Sequence, residues 1–91
     1  MTVRVFASFE RSWANLSIPA RQASEAAVDQ LLQFIGEGKR PQGLGFRKLQ
    51  RSFWEIRVDL KLRILVEMQG NVMSLVLVGS HDEIRRALRR R

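Results

Sequence analysis

From Phe53 onward the chain alternates. Trp54, Ile56, Val58, Leu60, Leu62, Ile64, Val66 and Met68 are apolar; between them stand Glu55, Arg57, Asp59, Lys61, Arg63 and Glu67, with Leu65 the one exception. Successive side chains of a strand point to opposite faces, so the pattern predicts a sheet that buries its even-numbered side and displays charge on the other. One strand cannot hold the whole run. At about 3.3 Å per residue it would span ~53 Å, against a radius of gyration near ~12 Å for a domain of this size. A break around Asp59–Lys61 gives strands near Phe53–Val58 and Leu62–Met68. Gln69-Gly70-Asn71 then reads as a hairpin turn. Val72–Val78 is apolar on both faces and reads as a central strand.

Upstream, Thr2–Phe6 reads as a short first strand. Ser8 is placed to cap a short helix in which Phe9, Trp13 and Leu16 recur at helical spacing. A longer helix follows, with Pro19 in its first turn, where a missing N–H costs nothing. Ala20, Ala23, Ala27, Leu31, Phe34 and Ile35 form its apolar stripe, widened by Val28 and Leu32, and Gly36 and Gly38 end it. Lys39–Gly45, with Pro41, Gly43 and Gly45, reads as a loop. A final helix starts at Ser80, which makes an S-x-x-E capping box with Glu83. The order is β-α-α, then an antiparallel three- to four-stranded meander, then a C-terminal helix. This is an α+β arrangement, with helices mainly on one face of a small sheet and the other face open to solvent or a partner. Residues 1–91 are expected to form a single domain.

Charge sharpens this picture because it is uneven. The chain's net charge is +7, yet residues 1–38 carry a net −1 and residues 39–91 a net +8. Such a surface attracts polyanions by Coulomb steering and counterion release. There is no cysteine and only one histidine, which excludes disulfides and a cysteine nucleophile and argues against a zinc site. No apolar stretch approaches the roughly 20 residues of a membrane span, and no run reads as a signal peptide. A cytoplasmic protein without metal or cofactor is expected.

The displayed face holds the candidate chemistry. Glu55, Arg57 and Arg63 fall on adjacent strands, and His81 stands beside them in the first turn of the last helix. Arginines bind phosphate in bidentate fashion, and a histidine or carboxylate can move a proton. Together they suit RNA cleavage: a base takes the 2′-hydroxyl proton, arginine stabilises the phosphorane-like transition state, and an acid protonates the leaving 5′-oxygen. Glu55 and His81 both qualify as the base. Lys39, Arg40, Arg47, Lys48, Arg51 and Lys61 are the candidate RNA-binding residues. Each has an ordinary structural reading as well. A first-turn histidine is often merely solvated, and a surface Arg57–glutamate pair contributes under about 1 kcal/mol. Arg85–Arg91 can be a frayed end. Trp13, Trp54 and most phenylalanines read as core, with Phe53 the one candidate for an exposed stacking ring.

Four segments taken together, G-L-G-F-R-K-L (43–49), F-W-E-I-R-V (53–58), L-R-I-L-V (62–66) and L-V-G-S-H-D-E-I (77–84), resemble the RelE/ParE superfamily of toxins from type II toxin–antitoxin systems. The resemblance covers nearly the whole chain and implies a small, cytoplasmic, barnase-related α+β toxin held inactive by a cognate antitoxin, in a possible hetero-oligomer. RelE-like members are ribosome-dependent, metal-independent endoribonucleases that cut mRNA; ParE-like members instead inhibit DNA gyrase. By position, Arg63 matches the family's phosphate-binding arginine. His81 falls where nucleases of the family place arginine or histidine, Arg57 where many place a basic residue, and Lys48 in the basic K-L segment. The chain departs from the pattern by having no tyrosine: Leu62 replaces the aromatic before Arg63, and Arg85 stands where the last segment has its tyrosine. Glu55 sits where some of the nucleases have lysine. The resemblance implies a RelE-like mRNA interferase, with a ParE-like or catalytically silent toxin acting on a protein target as the alternative.

Overall fold

The computed structural model describes residues 1–39 and 45–90. In chain order it contains β1 (Thr2–Val5), α1 (Ala7–Ala14), α2 (Ile18–Gly36), β2 (Phe46–Gln50), β3 (Phe53–Arg57), β4 (Arg63–Gln69), β5 (Val72–Gly79) and α3 (His81–Arg89). The sheet order is β1-β5-β4-β3-β2. Strands β2 to β5 form the antiparallel meander, and β1 adds in parallel to the far side of β5. The radius of gyration is 12.2 Å, so the alternating run does have to fold back on itself.

It does so at Asp59. The Asp59 Oδ1 accepts from the backbone N–H of Lys61 and of Leu62, each at 2.8 Å, and the Val58 N–H donates to Leu62 O at 3.0 Å. A carboxylate that mimics a backbone turn explains how this reversal forms without glycine or asparagine. The next reversal uses Gly70 at φ 57, as the Gln69-Gly70-Asn71 turn requires.

The even-numbered side anchors the sheet. Ile56, Ile64 and Val66 are buried with Phe9, Leu31 and Met73, and Trp13, Trp54 and Val28 pack around them under α1 and α2. Burial of each such aliphatic side chain contributes about 1.5–3 kcal/mol. Strand β2 escapes an alternation reading because Phe46 joins this side while Leu49 joins the other.

The odd-numbered side is not left open. Helix α3 packs on it, and Ile84 meets Phe53, Leu65 and Val76, all buried. This accounts for Leu65, the one apolar residue on the displayed side of the run. It also corrects two expectations: Phe53 is core and not an exposed ring, and Glu55 is only 4% exposed. Strand β5 serves both layers because the β4–β5 register shifts between Leu65 and Val66, pairing them with Leu77 and Leu75 and leaving Val76 as the extra residue. The bulge turns Val76 and Leu77 toward α3 while Leu75 and Val78 face the other helices.

Ser8 does not cap α1. Phe6 holds the N-cap with no side-chain bond. Ser8 Oγ instead donates to Val76 O, and the Val78 N–H donates to Ser12 Oγ at 3.1 Å. The two serines satisfy backbone groups of β5 beyond the end of β1, fixing α1 to the bulge. In α2, Ser17 is the N-cap and accepts from the Ala20 N–H at 3.2 Å, with Pro19 following it in the first turn. Arg21 ties the two helices together: its guanidinium sits 4.9 Å over the Trp13 ring and donates from Nη2 to Ala14 O at 2.6 Å. The helix closes on Gly38, with Lys39 N–H donating to Phe34 O and Gly38 N–H to Ile35 O. Among the described residues no helix is long and apolar enough to cross a membrane.

Candidate functional site

The ladder itself brings the candidate residues together. Arg57 of β3 lies directly opposite Arg63 of β4, and Arg63 in turn lies opposite Gly79 of β5. His81 stands two residues beyond Gly79. One row across three strands therefore ends at the first residue of α3. Arg47 joins from β2, directly opposite Glu55. Arg47, Glu55, Arg57, Arg63 and His81 line a single cleft of about 610 Å³, with Gly45 and Phe46 at its β2 end.

Glu55 organises the arginines. Its Oε1 lies 3.3 Å from Arg63 Nε and 3.7 Å from Arg47 Nη2. Arg63 is largely enclosed, its side chain 15% exposed against 60% for Arg47. Its Nη1 donates to Asp59 O at 2.7 Å, so the turn that ends β3 also fixes the guanidinium. With Nε and Nη1 engaged, Nη2 is the nitrogen left for an anion. Arg57 is exposed and has no ion pair among the described residues. Two arginines facing each other across a ladder repel, a cost most sheets avoid. The row suits an anionic ligand that neutralises it.

Gly45 allows this packing. It sits at φ 70, its carbonyl accepts from the Arg57 N–H at 3.0 Å, and a Cβ there would stand 2.7 Å from Arg57 Cβ.

His81 is held by the capping box expected from S-x-x-E. The Glu83 N–H donates to Ser80 Oγ at 3.2 Å, and the Ser80 N–H donates to Glu83 Oε1 at 2.9 Å. The Ser80 backbone N–H, then its hydroxyl, holds the Glu83 carboxyl below its ordinary value. The backbone N–H groups of Lys61 and Leu62 do the same for Asp59. Gly79 leaves room for this folding back, since a Cβ there would meet Glu83 Cδ and Oε1 at 3.0 Å. Arg85, one turn along α3, donates from Nε to His81 Nε2 at 2.8 Å. By sequence Arg85 is a departure from the family pattern and the start of a frayed end. In the structure it lies within α3. The signal for it was the spacing of four on a helix, which makes the two side chains neighbours.

The candidate RNA-binding residues are scattered by comparison. Arg47 lines the cleft. Lys48 points to the opposite side of β2, its ammonium 6.0 Å from the Trp54 ring centroid, which stacks on Phe46. Arg51 is exposed in the β2–β3 turn at φ 51, and Lys61 is exposed in the Asp59 turn. Lys39, at the end of α2, pairs with Glu37 at 2.8 Å. Arg40 lies outside the described residues. Among the described residues no group of three His, Asp or Glu side chains is placed to hold a metal ion.

No protein-family model matches the sequence, and no curated protein matches it either. Solved structures do match, by shape. The RelB–RelE antitoxin–toxin complex of Methanococcus jannaschii aligns over 92% of this chain and 96% of its own, with a TM-score of 0.71 and 13% identity. The YoeB dimer of Staphylococcus aureus aligns over 89% and 97%, with a TM-score of 0.66 and 13% identity. YafQ of E. coli aligns over 90% and 94%, with a TM-score of 0.65 and 9% identity. The α+β fold, with its five-stranded mixed sheet and three helices, is that of the RelE-like toxins.

Proposed function

We propose that this chain is the toxin component of a type II toxin–antitoxin system and that it cuts mRNA on the ribosome. The observation that carries the reading is the Arg57–Arg63 row ending at His81, set in an open cleft over a sheet of RelE-like topology. An RNA phosphate in that cleft meets Arg63, already fixed by Glu55 and Asp59, and the free guanidinium of Arg57. Both neutralise charge that grows on the phosphorane-like transition state. The 2′-oxygen attacks phosphorus and the P–O5′ bond breaks, giving a 2′,3′-cyclic phosphate and a 5′-hydroxyl. Glu55 and His81 flank the cleft as the two candidates for moving protons. Arg47, Lys61 and Arg51 extend the positive surface along the RNA. A cognate antitoxin is the proposed protein partner, because the fold's solved examples include a toxin held with its antitoxin.

The test is inducible expression of wild type, Arg63→Ala and His81→Ala, with growth and mRNA integrity on translating ribosomes followed together. Growth arrest with mRNA cut only by the wild type supports the reading. Growth arrest with intact mRNA overturns it and leaves the alternative, a toxin that acts by binding a protein target such as DNA gyrase. The chain's lack of tyrosine and the engagement of Glu55 by two arginines favour that alternative.

A further inference from the structure

His81 and Arg85 share a hydrogen bond whose direction fixes the histidine's chemistry. An arginine guanidinium only donates, so the nitrogen it meets must carry a bare lone pair. Arg85 Nε lies 2.8 Å from His81 Nε2. The ring proton is then on Nδ1, and Nδ1–H is the one ring nitrogen left to meet a ligand in the cleft. We infer that Arg85 is a positioning residue: it holds His81 in the Nδ1–H tautomer, so that His81 meets the substrate as a hydrogen-bond donor and not as a proton acceptor. The inference rests on the cleft being the RNA site, and it leaves Glu55 as the group that takes the 2′-hydroxyl proton and then returns it to the leaving 5′-oxygen.

The surroundings of His81 support this division. Glu83, the nearest carboxylate in sequence after Asp82, is turned back into the capping box, its Oε1 accepting from the Ser80 N–H. Asp82 is exposed on the same first turn. Across the cleft stand Arg57 and Arg63, which are donors, and Glu55, whose Oε1 is engaged by arginine.

The chain has a single histidine, so its ring nitrogens can be read without assignment. Two-bond proton–nitrogen correlation spectra of the full chain labelled with 15N-histidine should show the Nδ1–H tautomer in the wild type. In Arg85→Ala the pattern should shift toward that of free imidazole, in which Nε2–H predominates. Arg86→Ala, which removes an equal charge one residue along α3, should leave it unchanged. A wild-type spectrum dominated by Nε2–H, or equal shifts in both variants, overturns the inference. On ribosomes, Arg85→Ala should lower mRNA cleavage in the wild-type background and lower it no further on top of His81→Ala. An equal loss in both backgrounds shows that Arg85 does not act through His81. If the wild type leaves mRNA intact, the nuclease reading fails, while the nitrogen spectra still decide the tautomer.

Discussion

Arg63 Nε lies 3.3 Å from Glu55 Oε1, a diagonal contact across the β3–β4 ladder, with Glu55 opposite Leu65 and Arg63 opposite Arg57. The carboxylate is almost fully buried and the guanidinium is held at two other points. Glu55→Ala should therefore lower stability by about 1–3 kcal/mol, chiefly by leaving Arg63 without its counter-charge. Glu55→Gln, which keeps one acceptor, should cost less. Urea unfolding of the two variants checks this ranking, and an Ala variant as stable as wild type would show that the pair contributes nothing.

Two glycines with positive φ should behave differently. Gly45→Ala forces both a left-handed backbone and a 2.7 Å contact with Arg57 Cβ. It should cost about 1–3 kcal/mol and displace Arg57 from the cleft, so mRNA cleavage should fall with stability. Gly70→Ala meets no atom within 4 Å and carries only the left-handed backbone cost of about 1–2 kcal/mol. Its cleavage should match the wild type. Thermal unfolding and cleavage assays on the pair separate strain from steric displacement.

Acid should weaken the protein through Glu83 and Asp59. Both carboxyls are held below their ordinary values by backbone N–H donors, so the unfolded chain takes up their protons first as pH falls. Their stabilising effect is complete above about pH 5 and is lost on acidification through about pH 4 and below. Glu83→Gln should flatten part of the decline in melting temperature between about pH 5 and pH 3. An unchanged slope would mean that the capping box does not contribute through charge.

Ile84 is the buried residue of α3. Ile84→Ala should cost about 2–5 kcal/mol and free the helix that carries His81 and Arg85. Amide exchange in α3 should rise toward the rate of a frayed end, while β4 and β5 exchange more slowly. Uniform acceleration over the sheet would show that α3 and the sheet open as one unit.

Much of this molecule can be read from its one-dimensional pattern. The alternating run, its reversal at Asp59 and the Ser80–Glu83 box depend on neighbours within a few residues, and all three form where expected. Arg57, Arg63 and His81 end in one cleft because ladder pairing follows from those strands and that turn. What escaped depends on contacts between distant segments. Leu65 and Phe53 are buried by a helix about twenty or thirty residues later in the chain, so their polarity pattern misleads on its own. Ser8 looked like a cap because capping is local, but its acceptor, Val76 O, is 68 residues away. Strand β2 has no one-sided period, since it feeds both layers of the core. Arg85 reads in sequence as a missing tyrosine and the start of a frayed end, and its hydrogen bond to His81 depends on α3 holding the two side chains one turn apart.

One residue, Ser80, separates β5 from α3. That joint has no slack. Gly79 is bare so that the Glu83 carboxylate can fold over it, and the same carboxylate ties down the Ser80 N–H. His81 thus inherits its position from the sheet, like a key cut on the end of a rigid blade. A single inserted residue would turn the helix by roughly 100°, swinging His81 and Arg85 off the cleft and Ile84 out of the core together. Site and core share one angular setting here, so neither can be retuned at this corner without the other.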